Sequence, residues 1–325
     1  MRTLARVVLG RTAISVPGIG AGPKYLVRCN STDSQTAFPE ARNNPGTSIS
    51  IKEHLYGIAP VKAALMQGRR PLYGIYVQKG YHGDVERDRI SDIIQCARQQ
   101  DIPRLTVPKT TLDQLSRGSH HQGVVLKTGV VVAPKIHSLD PFADGRYSIS
   151  LRNMSKTEHS SRNKYPLFIC LDEVQDPVNI GSAIRSAMFF GADGVIFSKG
   201  SCQPTPVVSK ISAGSMECMN IYKAALLDKM LDASRSKGWM VICATANSSS
   251  NTKCVSIYDV PKFDKPVLLV IGSEGNGISP KVEAVSDLNI HIPSGAELPG
   301  YIDSLNAGVA AGVIMSSLPH VRGQQ

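Results

Sequence analysis

Asp176-Pro177-Val178-Asn179-Ile180-Gly181-Ser182-Ala183-Ile184-Arg185-Ser186-Ala187 begins as a turn and continues as a helix. The Asp-Pro pair initiates it, and the small and branched apolar residues that follow recur at helical spacing. Immediately upstream, residues 167–171 are a continuous apolar run, short enough to be a buried strand. Downstream, Gly191 closes the helix and residues 194–197 form the next strand. Strand, helix, strand within about thirty residues is the building unit of a parallel sheet. Arg185 does not fit a plain core helix. It is the only charge between Val178 and Gly191, set among Ala183, Ile184, Ala187, Met188, Phe189 and Phe190. Burying an unpaired guanidinium is costly. Arg185 therefore needs a partner, either a structural carboxylate such as Glu274 or a ligand.

The alternation continues to the end of the chain. Helical patterns over 207–215, 226–237 and 280–285 are interleaved with strands over 219–222, 240–245, 267–271 and 288–292. An Ala- and Gly-rich helix over 304–315 closes the set. The expected fold class is α/β, with a mainly parallel sheet covered on both faces over residues 165–320. A smaller α/β module precedes it over residues 50–132. It shows a helical pattern over 60–66, a strand over 73–77, strands over 105–107 and 123–132, and an amphipathic helix over 88–100 with Ile90, Ile93, Ile94 and Ala97 on one side. Between the two, residues 133–164 are rich in Ser, Asn, Lys and Arg and lack periodicity, so they read as an interdomain linker or insertion.

No apolar run in the 325 residues reaches the ~18 needed to span a membrane. The net charge is +10, which favours a polyanionic partner. Half of that excess comes from residues 1–32, where Arg2, Arg6, Arg11, Lys24 and Arg28 occur without a single acid. An acid-free, Arg-bearing leader without a continuous apolar core reads as a mitochondrial transit peptide, which with a polar tail occupies residues 1–48 and implies the matrix. The alternative is a basic tail that binds RNA. The seven cysteines are scattered, with no Cys-x-x-Cys pair, so neither a disulfide framework nor a metal site is expected.

In sheets of this kind ligands bind beyond the carboxyl ends of the strands. Three loops stand there. The first runs from Leu171 to Asn179, with Asn179 either capping the helix or facing a ligand. The second is Ile271-Gly272-Ser273-Glu274-Gly275-Asn276-Gly277, whose glycines allow tight turning and close approach to a ligand. Its glycine spacing is not that of a dinucleotide fingerprint, and it lacks the lysine of a Walker A loop. The third runs from Ile292-Pro293 to Ser304-Leu305-Asn306-Ala307-Gly308, with Ser304 either capping the last helix or serving chemistry beside Asn306.

In this order, the three loops resemble the three motifs of the SpoU family of RNA 2′-O-ribose methyltransferases, members of the SPOUT superfamily. The upstream module is similar to that family's substrate-binding domain, a fold shared with some ribosomal proteins. Its marks are His54-Leu55-Tyr56-Gly57, Val61-Lys62-Ala63-Ala64 and His120-His121-Gln122-Gly123-Val124. The resemblance implies a trefoil knot in the C-terminal domain, S-adenosylmethionine as cofactor and a homodimer formed through the knotted domain. It implies cofactor contacts at Gly272, Ile292 and Leu305, and a catalytic set of Arg185, Asn179, Glu274, Ser304 and Asn306. The alternative for Glu274 is an exposed loop acid. Arg117, His120, His121 and Lys127 are the expected RNA contacts. With the leader, the implied reaction is 2′-O-methylation of a guanosine ribose in mitochondrial large-subunit ribosomal RNA. A non-catalytic ribosome-assembly factor and a tRNA ribose methyltransferase remain open, as does, on fold alone, a nicotinamide-dependent dehydrogenase. The loop from Ser294 to Asp303 is longer than the family's usual connection.

Overall fold

A computed structural model describes residues 51–80, 84–161, 163–245, 254–297 and 304–318. The leader expected over residues 1–48 lies outside the described residues.

The first module comprises β1 (Lys52–Tyr56), α1 (Ile58–Gln67), β2 (Leu72–Gln78), α2 (Asp84–Gln99), β3 (Arg104–Val107), α3 (Lys109–Leu115) and β4 (Val124–Gly129). Its four described strands are ordered β1-β4-β2-β3, with β4 antiparallel to both neighbours and β3 parallel to β2. Side chains alternate across the sheet. One face sets Leu55, Ile75, Val124 and Leu126 against Val61, Ala64 and Leu65 of α1 and Ile90 and Ile93 of α2. The other sets Tyr56, Tyr76 and Val125 against Leu112 of α3. Sequence periodicity does not reveal α3, because this short helix buries only Leu112.

The second unit comprises β5 (Lys135–Leu139), β6 (Arg146–Leu151), β7 (Lys156–Ser160), β8 (Leu167–Asp172), α4 (Pro177–Phe189), β9 (Gly194–Phe197), α5 (Pro206–Ile211), α6 (Ser215–Cys218) and β10 (Ile221–Ala224). It continues with α7 (Leu227–Arg235), β11 (Met240–Ala244), β12 (Cys254–Ser256), β13 (Val267–Gly272), α8 (Pro280–Glu283), β14 (Leu288–His291) and α9 (Ala307–Ser317). Among the described residues ten strands form one sheet, ordered β12-β14-β11-β13-β8-β9-β10-β5-β6-β7. Pairing is parallel from β12 through to β5. Every residue of β8 and β9 is buried, as expected of parallel strands covered on both faces. One face packs against Ile180, Ala183 and Ile184 of α4, Val208 of α5 and Ala311 and Ile314 of α9. The other packs against Leu227, Met230 and Leu231 of α7 and Val282 of α8.

Residues 133–164 are not a linker. They form β5, β6 and β7, which extend the sheet by two antiparallel hairpin pairings. Two physical causes hide this in the sequence. The register of β5 shifts between Ile136 and Ser138, breaking its alternation. β7 is an edge strand with the polar sequence Lys-Thr-Glu-His-Ser, a composition that discourages further strand pairing. Tyr147 anchors the extension by edge-on contacts with Phe168 and Trp239.

A clasp centred on the buried Asp140 fixes the same extension to the segment that follows α7. Asp140 receives Lys237 Nζ at 2.7 Å on Oδ1 and Lys156 Nζ at 2.8 Å on Oδ2, while Ser150 Oγ lies 3.1 Å from both oxygens. Trp239 Nε1 donates to the Asp140 carbonyl at 2.9 Å. Burial alone would raise the Asp140 pKa, but the bonds from Lys156, Lys237 and Ser150 outweigh it and hold the carboxyl down at about 2. A carboxylate depressed on folding stabilises the native state above its unfolded pKa, near 3.9, and that increment disappears as pH falls toward the folded value. We predict that Asp140→Asn lowers the thermal midpoint at pH 7 and makes it less sensitive to acidification between pH 4 and 2. Fluorescence of Trp239, the chain's single tryptophan, followed during melting at each pH, checks this. Parallel pH profiles for wild type and variant would contradict it.

Candidate active site

The strand order brings four carboxyl ends together. Asp172 of β8 pairs with Gly272 of β13, Ile271 of β13 with Ala244 of β11, and Ala244 with Ile290 of β14. The second and third loops of the sequence reading thus leave the sheet beside the first. A fourth joins them. Thr245 follows β11 between the other two, its amide donating to the Ile290 carbonyl at 2.9 Å. No local motif marks Thr245; only the insertion of β11 between β13 and β14 places it here.

The glycine-rich loop is a closed hairpin. Ser273 and Gly277 exchange backbone hydrogen bonds of 3.0 and 2.9 Å. A Cβ at Gly272 would lie 2.3 Å from the Gly277 carbonyl, so only glycine permits the closure. Behind the loop, the Ser279 amide donates to Asp172 Oδ2 at 2.9 Å, tying it to the end of β8. Glu274 and Asn276 are left exposed at the tip.

The first and third loops meet through their helices. Asp176, not Asn179, caps α4, its carboxylate accepting from the Val178 amide at 2.9 Å with Pro177 in the first turn. Asn179 lies inside that turn and is 3% exposed. Its Oδ1 accepts from Asn306 Nδ2 at 2.5 Å. Asn306, not Ser304, caps α9, its own Oδ1 accepting from the Val309 amide at 3.2 Å. Beyond this amide pair the helices approach closely. A Cβ on Gly308 would lie 2.7 Å from Ser182 Cβ and 3.1 Å from the Asn179 carbonyl. Gly312 faces Ser186 in the same way.

Arg185 departs from expectation. It is exposed, and no hydrogen bond or ion pair joins it to Glu274 or to any other described residue. The premise of a buried cation therefore fails, because its guanidinium keeps water. It shares an exposed face of α4 with Val178, Met188 and Phe189, which stand seven residues before it and three and four after it. Ser304 and Leu305 are also exposed, Leu305 to 49%, while Gly272 and Ile292 are half-buried at their strand ends.

In the first module, the expected RNA contacts divide. His121 is 4% exposed, with Nε2 3.1 Å from Asp113 Oδ1 and Nδ1 accepting from the Gly123 amide at 3.0 Å. Burial lowers its pKa against the pull of Asp113. With both ring nitrogens engaged inside a turn, His121 is a structural anchor and not an RNA contact. Arg117 and His120 are exposed, and Lys127 is half-buried opposite His54 on the neighbouring strand. His54, read from the sequence only as a mark of the module, joins this group. Its pKa is lowered first by burial and then by the charges of Lys127 and Arg117.

A model of the SpoU rRNA methylase family matches residues 166–316, and a model described as RNA 2′-O ribose methyltransferase substrate binding matches residues 54–129. The chain is 34% identical over 275 residues to rRNA methyltransferase 1, mitochondrial, of Homo sapiens, covering 82% of this chain and 72% of that protein. The chain belongs to the SpoU family. It is accordingly an S-adenosylmethionine-dependent RNA 2′-O-methyltransferase. The Saccharomyces cerevisiae rRNA methyltransferase 1, mitochondrial, is 29% identical, with 82% of this chain and 70% of that protein covered. Among solved structures, the AdoMet-bound rRNA methyltransferase of Sinorhizobium meliloti superimposes with a TM-score of 0.60 at 19% identity, covering 82% of this chain and 86% of that one. The SpoU methyltransferase AviRb of Streptomyces viridochromogenes in complex with AdoMet gives 0.60 at 21%, covering 83% and 89%. These likenesses establish the shared α/β fold.

Gly272, Thr245 and Ile292 stand at neighbouring strand ends, and the hairpin closure fixes the first of them where the resemblance expects cofactor contacts. Gly272→Ala is predicted to force the hairpin open and weaken S-adenosylmethionine binding by about tenfold or more, because overpacking costs about 1–3 kcal/mol. Titration calorimetry measures the affinity and circular dichroism the fold; undiminished affinity in a folded variant would refute the role of the closure.

Proposed function

We propose that this SpoU enzyme 2′-O-methylates a guanosine ribose in mitochondrial large-subunit ribosomal RNA, in the mitochondrial matrix. The observation that carries this reading is the match through both modules to proteins named rRNA methyltransferase 1, mitochondrial. The acid-free leader supports import and is assigned as a transit peptide within residues 1–48. Residues 50–132 serve as the RNA substrate-binding domain, and the unit from β5 (Lys135–Leu139) to α9 (Ala307–Ser317) serves as the methyltransferase domain.

S-adenosylmethionine supplies a methyl group already activated by its sulfonium. The protein's task is to hold a ribose hydroxyl in line and help remove its proton. Arg185, solvated and unpaired among the described residues, is placed to take a substrate phosphate and polarise the hydroxyl. Glu274, at the hairpin tip, orients Arg185 or the ribose, and Ser304 contributes a hydroxyl beside it. Asn179 acts through Asn306, fixing where the third loop meets the first helix. Gly272, Ile292 and Leu305 hold the cofactor. Arg117, His120 and Lys127, with His54, grip RNA at phosphates or by stacking.

The homodimer belongs to the same reading. Val178, Met188 and Phe189 stand exposed on α4, beside a groove between α4 and α9 edged by the exposed Val309. Such an apolar patch marks an interaction surface, and its occupant here is a second copy of the chain, with Arg185 at the boundary. The trefoil knot is part of the proposal as well. It is supported by the return of Asn306 to Asn179 across 127 residues and by the packing of α9 on α4.

Arg185→Ala is predicted to retain S-adenosylmethionine binding while losing about 100-fold or more in methyl transfer, the scale of one lost charge-stabilising donor. Ribose-methylation mapping of a mitochondrial large-subunit transcript, incubated with wild type or variant, tests this. Equal methylation by the two proteins would sink the assignment of Arg185, and no guanosine methylation by wild type would sink the substrate.

A further inference from the structure

The substrate-binding module is locked onto the methyltransferase domain by buried charge. The Arg70 and Glu217 side chains are both 0% exposed. Arg70 Nε and Nη2 donate to Glu217 Oε2 and Oε1 at 3.0 and 2.8 Å, a two-pronged pair between loop residue 70 and helix α6. Arg70 Nη1 completes its bonding with Glu53, with Thr128 Oγ1 at 3.2 Å and with the Gly129 carbonyl at 3.2 Å. Ser209 Oγ donates to Glu217 Oε1 at 2.7 Å from the methyltransferase side.

A second contact lies on α5. Lys210 Nζ donates to Gln122 Oε1 at 2.7 Å, and a Cβ on Gly57 would lie 2.5 Å from that same Nζ. Gly57 and Gln122 stand in two of the three sequence marks of the substrate-binding module. Both face the methyltransferase domain. The covalent connection is equally short, since β4 ends at Gly129 and β5, already part of the large sheet, begins at Lys135. No slack remains for a tethered module.

We propose that Arg70–Glu217 and Gln122–Lys210 are positioning pairs that set a fixed span between the RNA grip and the methyl-transfer loops. Resting on the RNA methyltransferase reading above, this assigns the substrate class: a folded RNA whose gripped segment and target ribose stand at one distance. A short single strand that reaches only the transfer loops gains nothing from the module. The pairs contribute effective concentration to the target ribose and touch neither cofactor nor reacting atoms.

The test uses the full chain and two variants. Arg70→Met/Glu217→Met removes both charges, so neither is left buried and unpaired. Lys210→Met perturbs only the half-exposed contact and safeguards the test should the double variant fail to fold. Both are assayed on a structured ribosomal RNA fragment and on a short single-stranded oligonucleotide carrying the same target. Expected are unchanged S-adenosylmethionine affinity and unchanged turnover on the oligonucleotide. On the fragment, KM rises about tenfold with kcat preserved, and small-angle scattering shows a broadened distance distribution for the double variant. Folded variants with wild-type KM on both RNAs would overturn the proposal. If wild type methylates neither RNA, the proposed substrate fails instead, and the scattering comparison still decides whether the pairs fix the module.

Discussion

The close approach of α4 and α9 is the constraint on which the candidate active site depends. Their backbones come together because Gly308 meets Ser182 where a Cβ would collide, with Gly312 closely against Ser186 one turn on. Close approach buries Asn179, and a buried amide requires a hydrogen-bonding partner. Asn306 supplies it while capping its own helix. The beginning of α9 is thereby held at the beginning of α4, and the loop after β14 returns to the loop after β8. The Asp172–Ser279 bond does the same for the loop between them. Small residues, one amide pair and one carboxylate thus draw three loops together at one end of the sheet.

Legibility in the sequence follows the physics of each element. Parallel strands covered on both faces are continuous apolar runs, so β8, β9, β11, β13 and β14 are readable, as is the amphipathic α2. Strand order is not a local property, and so Thr245 escapes notice. The strands β5 to β7 escape because a register shift and a solvated edge erase alternation. The caps fall elsewhere than the two candidates left open: Asp176 and Asn306 accept from the Val178 and Val309 amides, one position before each helix begins. An apolar sequence neighbourhood does not make Arg185 buried, because two of those neighbours, Met188 and Phe189, are themselves exposed, Phe189 to 82%.

The family marks of the first module illustrate a related point. His121 holds a turn, and Gly57 and Gln122 seat the module on α5. The same marks also carry His54 and His120, proposed above with Arg117 and Lys127 as RNA contacts. A short motif can thus build and mount a substrate-binding domain as well as supply side chains proposed to grip its substrate.

The Arg70–Glu217 pair also bears on how the chain comes to be folded. Its members are separated by 147 residues. The first module's own Glu53, Thr128 and Gly129 carbonyl engage one guanidinium nitrogen of Arg70, but Nε and Nη2 find their acceptors only on α6. When the chain is made from its N-terminus, the two-pronged contact closes only after α6 exists, and completion of the methyltransferase half is what seats the module.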